Sequence, residues 1–123
     1  MTPGPTPVLP EVLAVMALPI VHHRGPDFKP IYKECLERLQ EVFRTKGDVL
    51  LYTASGTAGL ESVISNLTSP GDRVVVVSAG YFGERWADIA TVYGCAVEHL
   101  RYEWGETPKA EDLSSRLAEL GGA

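Results

Sequence analysis

The sequence predicts an α/β fold with a mainly parallel sheet and flanking helices. Segments whose apolar residues recur at the 3.6-residue helical period alternate with short continuous apolar runs, at residues 49–52 and 73–77. Each run leads into a turn of small residues, 53–59 and 78–80. A strand, helix, strand succession at this spacing is a βαβ unit, whose strands lie parallel with a right-handed crossover. Continuous rather than alternating apolarity suits strands covered on both faces.

Taken in order, residues 2–10 hold four prolines and a glycine and form an extended, irregular arm. A short helix starts near Pro10, carries Val12, Leu13 and Met16 on one side, and ends before Pro19. Residues 20–26, with His22, His23, Arg24 and Gly25, read as a loop. Asp27 can cap the next helix, and Pro30 is tolerated in a first turn whose N–H groups lack partners anyway. Tyr32, Cys35, Leu36, Leu39, Val42 and Phe43 recur at the helical period and form its expected buried stripe. Glu34 and Arg38 stand four apart on the opposite face in the favourable order, and Gly47 is the expected stop. After the strand at 49–52, a helix places Leu60, Val63, Ile64 and Leu67 on one side. Ser69-Pro70-Gly71-Asp72 is a turn, and 73–77 is the second strand. Residues 82–93 form a helix with Trp86, Ile89, Ala90 and Tyr93 inward, stopped by Gly94. A third strand at 95–101 and a last helix at 110–120, carrying Leu113, Leu117 and Leu120, complete a doubly wound pattern. There is no internal repeat and no low-complexity tract.

Composition excludes several functions. At 123 residues the chain is one domain at most. Its 45% hydrophobic and 22% charged content is ordinary for a globular protein. The net charge of −5, with no cluster of Lys and Arg, argues against a nucleic-acid surface. No apolar run approaches the roughly 20 residues that span a bilayer, and residues 1–8 lack the basic and apolar segments of a secretory signal. Cys35 and Cys95 have no metal-ligand spacing and read as reduced packing residues of a cytoplasmic protein. No metal site is expected.

The turn Ser55-Gly56-Thr57 brings two hydroxyls and unobstructed N–H groups to a helix start. Unpaired N–H groups and the macrodipole together favour a phosphate there. No lysine follows the glycines, so it is not a Walker loop, and the Gly-x-Gly-x-x-Gly dinucleotide spacing is missing. Read alone, the turn is equally a plain helix start. The next turn, Ser78-Ala79-Gly80-Tyr81-Phe82-Gly83, lies at the same carboxyl edge of a parallel sheet, where open α/β folds bind ligands. Tyr81 is expected to close the core. Phe82 beside a phosphate cradle suggests a phosphorylated aromatic cofactor.

TPGPTPV at 2–8, HHRGPDF at 22–28, ASGTAGLES at 54–62, PGDRVVVVSAGYFGERW at 70–86 and Asp88-Ile89 occur in this order. Together they resemble the N-terminal part of class V pyridoxal-phosphate aminotransferases, in the branch with serine–pyruvate and alanine–glyoxylate aminotransferases. Soluble hydrogenase small-subunit proteins look similar. The resemblance covers essentially the whole chain. It implies an incomplete fold type I large domain, with an arm, short helix and loop over 1–26 and a C-terminally truncated cofactor-binding part over 27–123. It implies pyridoxal 5'-phosphate as cofactor, with Ser55, Gly56 and Thr57 on its phosphate and Phe82 stacked on its pyridine. Gly4 and Pro5 match a segment near the substrate carboxylate. His23 and Arg24 match a loop near the subunit interface and the partner's active site in a homodimer.

Aminotransfer also needs a lysine that forms a Schiff base with the cofactor and shuttles the α-carbon proton. Lys29, Lys33, Lys46 and Lys109 do not lie in the family's Ser-Gln-Lys turn. No catalytic residue is therefore expected in this chain, which by itself should be inactive. The intact protein is expected to move an amino group between a small amino acid, of the serine or alanine type, and a 2-oxo acid such as pyruvate or glyoxylate. The competing readings are a non-catalytic α/β phosphate-binding or assembly module, and part of a fold type I lyase. The Gly-Tyr-Phe-Gly turn favours the aminotransferase branch, since a histidine in place of Phe82 would have pointed to desulfurases.

Overall fold

Residues 4–121 are described by the computed structural model, so the first residues of the proline arm and the last two glycine–alanine positions lie outside it. The chain divides into two units, Met1–Leu51 and Tyr52–Ala123.

The first unit holds α1 (Pro10–Met16) and α2 (Phe28–Phe43). Pro10 occupies the first helical position, where its missing N–H costs nothing. On α2 the expected pair forms, Arg38 to Glu34 at 2.5 Å, beside Lys33 and Glu37 at 3.6 Å. Two other expectations fail at its ends. Asp27 precedes the helix without a side-chain capping bond. The stop comes at Arg44, which takes the left-handed conformation (φ 50°) three residues before Gly47. Thr45 N–H bonds the Gln40 carbonyl at 3.0 Å and closes the end in place of a glycine turn. Gly47 instead accepts a bond from Gln40 Nε2 at 3.0 Å.

The stripe on α2 is also not buried. Leu36 and Leu39 are half-buried, whereas Tyr32, Cys35, Val42 and Phe43 are exposed. A periodic apolar stripe specifies a face that needs cover, and two short helices with loops supply too little surface to cover it within this unit.

In the second unit, β1 (Arg73–Ser78) and β2 (Ala96–Arg101) pair in parallel, with Arg73 opposite Ala96 and Ser78 opposite Arg101. Helix α4 (Tyr81–Val92) is the crossover between them, α3 (Gly56–Leu67) packs on α4, and α5 (Ala110–Glu119) follows β2. Ile64, Ile89, Ala90 and Cys95 form the core, with Leu60, Val74, Trp86, Tyr93 and Val97 against it. For α4 this is the arrangement the 3.6-residue period anticipates; of the stripe expected on α3, Leu60 and Ile64 are covered while Val63 and Leu67 are exposed.

The turn before β1 is tied to the end of α4. Asp72 Oδ2 accepts from Ser69 N–H, and Gly71 N–H reaches the Gly94 carbonyl, both at 2.8 Å. Gly94 is left-handed (φ 80°), as a helix stop requires, and a Cβ there would sit 3.3 Å from Pro70 Cβ. Beyond β2, Tyr102 donates to Asp112 at 2.6 Å, and Arg116 pairs with Glu98, so α5 is held by its polar face.

Residues 49–52 are not a strand. Their apolarity asks for burial, but a strand also needs a hydrogen-bonded neighbour, and among the described residues the ladder has only β1 and β2. Leu50 and Tyr52 are exposed, so the expected cover on both faces is absent too. Among the described residues the sheet thus has two strands where the sequence suggested three. Val63, Ile64 and Leu67 of α3, residues 74–77 of β1 and Trp86 line an apolar cavity of about 390 Å³.

Candidate functional site

Two helix starts share one edge of the second unit. Helix α4 follows β1 directly, so it begins at the carboxyl end of that strand. The Cys95 thiol donates to Thr68 Oγ1 at 3.3 Å, which puts the C-terminal ends of α3 and α4 together. Packed side by side with their ends together, the helices also begin together, at the carboxyl edge of the sheet.

At the start of α3, Ser55 is extended (φ −75°, ψ 165°) and makes no side-chain capping bond. The N–H groups of Gly56 and Thr57 precede the first intrahelical acceptor and point out of the helix end. Ser55 and Gly56 are exposed and Thr57 is half-buried. No Cβ contact would crowd Gly56 or Gly59 within 4 Å, so the start is open as well as rich in donors. An anion with several acceptor oxygens suits such a set.

At the start of α4, Phe82 is 49% exposed. Its ring meets Tyr81 edge-on, 5.4 Å between centroids at 83°. Arg85 donates to the Tyr81 hydroxyl at 2.5 Å and lies over its ring, 5.3 Å from the centroid. Tyr81 is therefore not a core residue as expected. Its hydroxyl prefers a polar partner in water, and Arg85, one turn along the helix, supplies it.

Behind these side chains lies a cluster that the sequence did not announce. Ser78 ends β1 and is 1% exposed. Its hydroxyl donates to Glu84 Oε1 at 2.9 Å and lies 2.7 Å from His99 Nε2 on β2. Glu84 is also 3.7 Å from His99 Nε2 and 3.5 Å from Arg101 Nε. The bond from Ser78 holds the Glu84 carboxyl below the usual glutamate range; partial burial opposes this, and the His99 and Arg101 charges assist it. An ionised Glu84 only accepts, so the single Ser78 proton goes to it, and the Ser78 oxygen must accept from His99 Nε2–H. Gly83 makes room for the arrangement, since a Cβ there would stand 2.5 Å from Ser78 Cβ and 2.7 Å from its Cα. The available signal was polarity in the wrong place: Ser78 closing a run of four valines, and Glu98-His99 set between Val97 and Leu100.

Glu61 belongs to a different contact. It accepts from the Tyr93 hydroxyl at 2.8 Å and joins α3 to the end of α4. Gly4 and Pro5 are exposed in the first unit. His22, His23 and Arg24 form an exposed loop there, closed by Gly25 N–H on the His22 carbonyl at 2.8 Å. Of the residues singled out in the sequence, the second unit thus gathers Ser55, Gly56, Thr57 and Phe82. No group of His, Cys, Asp or Glu among the described residues could hold a metal ion, and no described helix is long and apolar enough to cross a membrane.

Residues 9–120 match the family model for aminotransferase class-V. The chain is 43% identical over 117 residues to an uncharacterized aminotransferase of Methanocaldococcus jannaschii, covering 95% of this chain and 30% of that protein. It is 41% identical to the (S)-ureidoglycine–glyoxylate transaminase of Bacillus subtilis, covering 98% of this chain and 29% of the relative. The crystal structure of ureidoglycine–glyoxylate aminotransferase from Bacillus subtilis superposes with a TM-score of 0.90 at 36% identity, over 99% of this chain and 32% of that one. The chain spans about 30% of the length of the curated relatives it matches.

Proposed function

The chain belongs to the class-V aminotransferase family, and from that premise we propose that it forms the phosphate-gripping part of a transaminase that uses pyridoxal 5'-phosphate. Ser55 and Thr57 donate their hydroxyls, and Gly56 and Thr57 their N–H groups, to the cofactor phosphate. Phe82 stacks on the pyridine ring. When bound, the cofactor supplies the electron sink for charge developing at the substrate α-carbon. The donor set fits: a dianionic phosphate needs several donors at a positive helix end, and a planar ring needs an exposed aromatic face beside it. The single observation that carries the reading is that α3 and α4 start at one edge of the sheet, with Ser55 uncapped and Phe82 presented to solvent.

The substrates of the reading are a small amino acid and a 2-oxo acid such as glyoxylate or pyruvate. Glyoxylate is named for the Bacillus subtilis relative. Gly4 and Pro5 lie near the substrate carboxylate, and His23 and Arg24 near the partner's site in a cytoplasmic homodimer. None of Lys29, Lys33, Lys46 or Lys109 stands in a Ser-Gln-Lys turn, so the chain by itself binds and orients but does not move the α-carbon proton.

Equilibrium dialysis of the 123-residue chain against pyridoxal phosphate, and separately against inorganic phosphate, tests the reading. Each hydrogen bond to a charged group contributes about 1.5–3 kcal/mol when its partner would otherwise be unpaired. The double variant Ser55→Ala, Thr57→Ala should therefore weaken both ligands by at least roughly 100-fold at about 1.4 kcal/mol per tenfold. Phe82→Leu should weaken only pyridoxal phosphate. Unchanged binding in the double variant would sink the proposal.

A further inference from the structure

We infer that Ser78, Glu84 and His99 are positioning residues for Phe82: their hydrogen-bonded chain pins the first turn of α4 to the ends of β1 and β2, and so holds the ring where a planar cofactor would stack. This rests on the role of Phe82 proposed above.

Residues 82–84 are fixed twice over. Gly83 lies against the Ser78 backbone so closely that no side chain fits between them, and Glu84 takes the Ser78 proton at 2.9 Å. Phe82 is the residue immediately before this double anchor. On its other side the ring is backed edge-on by Tyr81, itself tethered to Arg85. An exposed aromatic ring usually samples several rotamers; here its backbone and one flank are set before any ligand arrives, which lowers the ordering cost of binding. His99 completes the anchor from the second strand. Its Nε2–H donates to Ser78 at 2.7 Å, so β1, α4 and β2 meet at one buried hydroxyl.

A nucleophilic serine is the other chemistry that a Ser, His, Glu group brings to mind, and the geometry rejects it. Ser78 is 1% exposed and sits between the other two groups. Its proton is committed to Glu84, and His99 donates to the serine oxygen rather than accepting from it. A triad needs the histidine in the middle, as the base.

The chain holds three phenylalanines, Phe28, Phe43 and Phe82, the first two of them on α2. Fluorine NMR of the full chain labelled with fluorophenylalanine therefore reads Phe82 with two internal controls and no ligand. Phe82→Leu assigns its resonance. Ser78→Ala and His99→Leu should displace or broaden the Phe82 resonance and leave those of Phe28 and Phe43 in place. His99→Gln, whose amide can still donate to Ser78, should restore it. With ligands, Ser78→Ala should lose the same fold-affinity for pyridoxal phosphate as Phe82→Leu, to within about threefold, while inorganic phosphate binds as in the parent chain; 1.4 kcal/mol would be tenfold. If Ser78→Ala disturbs all three resonances, the His99 pair decides, and indistinguishable Leu and Gln variants overturn the inference. An unmoved Phe82 resonance in His99→Leu also overturns it. Failure of the stacking role is read separately, as a Phe82→Leu variant that binds pyridoxal phosphate like the parent.

Discussion

Replacing Gly83 with alanine should destabilise the second unit by about 2 kcal/mol, and the size follows from three contributions. A Cβ at this position would meet Ser78 Cβ at 2.5 Å and Ser78 Cα at 2.7 Å. Ordinary carbon contacts are about 3.5–4.0 Å, so α4 must retreat from the end of β1 by roughly 1 Å. Because one of the two atoms is backbone, no rotamer change relieves the clash. Overpacking of this kind costs about 1–3 kcal/mol. The same retreat lengthens the bond from Ser78 to Glu84, which is 2.9 Å in the native arrangement, at a further cost of about 1 kcal/mol. Against these stands the better helix propensity of alanine, about 1 kcal/mol.

Gly59→Ala supplies the matched control. Gly59 lies inside α3, and nothing stands within 4 Å of where its Cβ would be. Only the propensity gain remains, so this variant should be more stable by up to about 1 kcal/mol. Both tryptophans, Trp86 and Trp104, fall in the second unit, and their fluorescence during urea unfolding follows that unit. The two midpoints should bracket the parent and differ by about 3 kcal/mol once multiplied by the slope. A Gly83→Ala chain as stable as the parent, or as Gly59→Ala, would refute the close approach of α4 to β1.

Gly94→Ala should cost about 1–2 kcal/mol in the same unfolding measurement, because φ of 80° is strained for alanine and its Cβ would press on Pro70 at 3.3 Å; an unchanged midpoint would mean that the stop of α4 is not left-handed. Tyr102 gives the pH dependence. Its bond to Asp112 raises its pKa above the ordinary tyrosine value, with partial burial adding to the effect. The protonated phenol is the form the fold prefers, so this contribution is complete below about pH 10, the unfolded value, and is lost as pH rises through the folded one. Tyr93, bonded to Glu61, is raised in the same way, so ultraviolet titration of phenolate should show one late-ionising tyrosine fewer in Tyr102→Phe than in the parent, and the variant should lose less stability on going alkaline.

The sequence patterns were most readable where local chemistry and burial agree. The inward face of α4, the span of α3, the Ser69–Asp72 turn, the left-handed Gly94 and the parallel strands at 73–78 and 96–101 all appear where their residues indicate. Each of these is decided within a few residues or by one packed face. The end of α2 shows the limit of that reading. A glycine is the cheapest left-handed residue, yet Arg44 takes the position because the Gln40 carbonyl captures the Thr45 N–H there. Residues 49–52 show another: apolarity states a demand for cover but not the partner that meets it.

The Ser78 cluster was hidden for a different reason. Its members lie six and 21 positions from Ser78, and no local rule links a serine at a strand end to a histidine in the next strand. What joins them is the parallel register, which sets Ser78 opposite Arg101 and so brings His99, two residues earlier on the same strand, within reach. Side chains two apart on a strand share a face, which is why His99 and Arg101 both address Glu84. The hydroxyl at the centre can serve both neighbours only if α4 comes close, and only glycine at 83 permits that approach. Gly83 thus reads in sequence as part of a glycine-flanked aromatic turn, while in the structure it is the space through which helix and sheet share one buried hydrogen-bonded group. The aromatic ring at Phe82 and the polar anchor at Ser78 are therefore consequences of the same missing side chain, and a single Cβ at position 83 should disturb both.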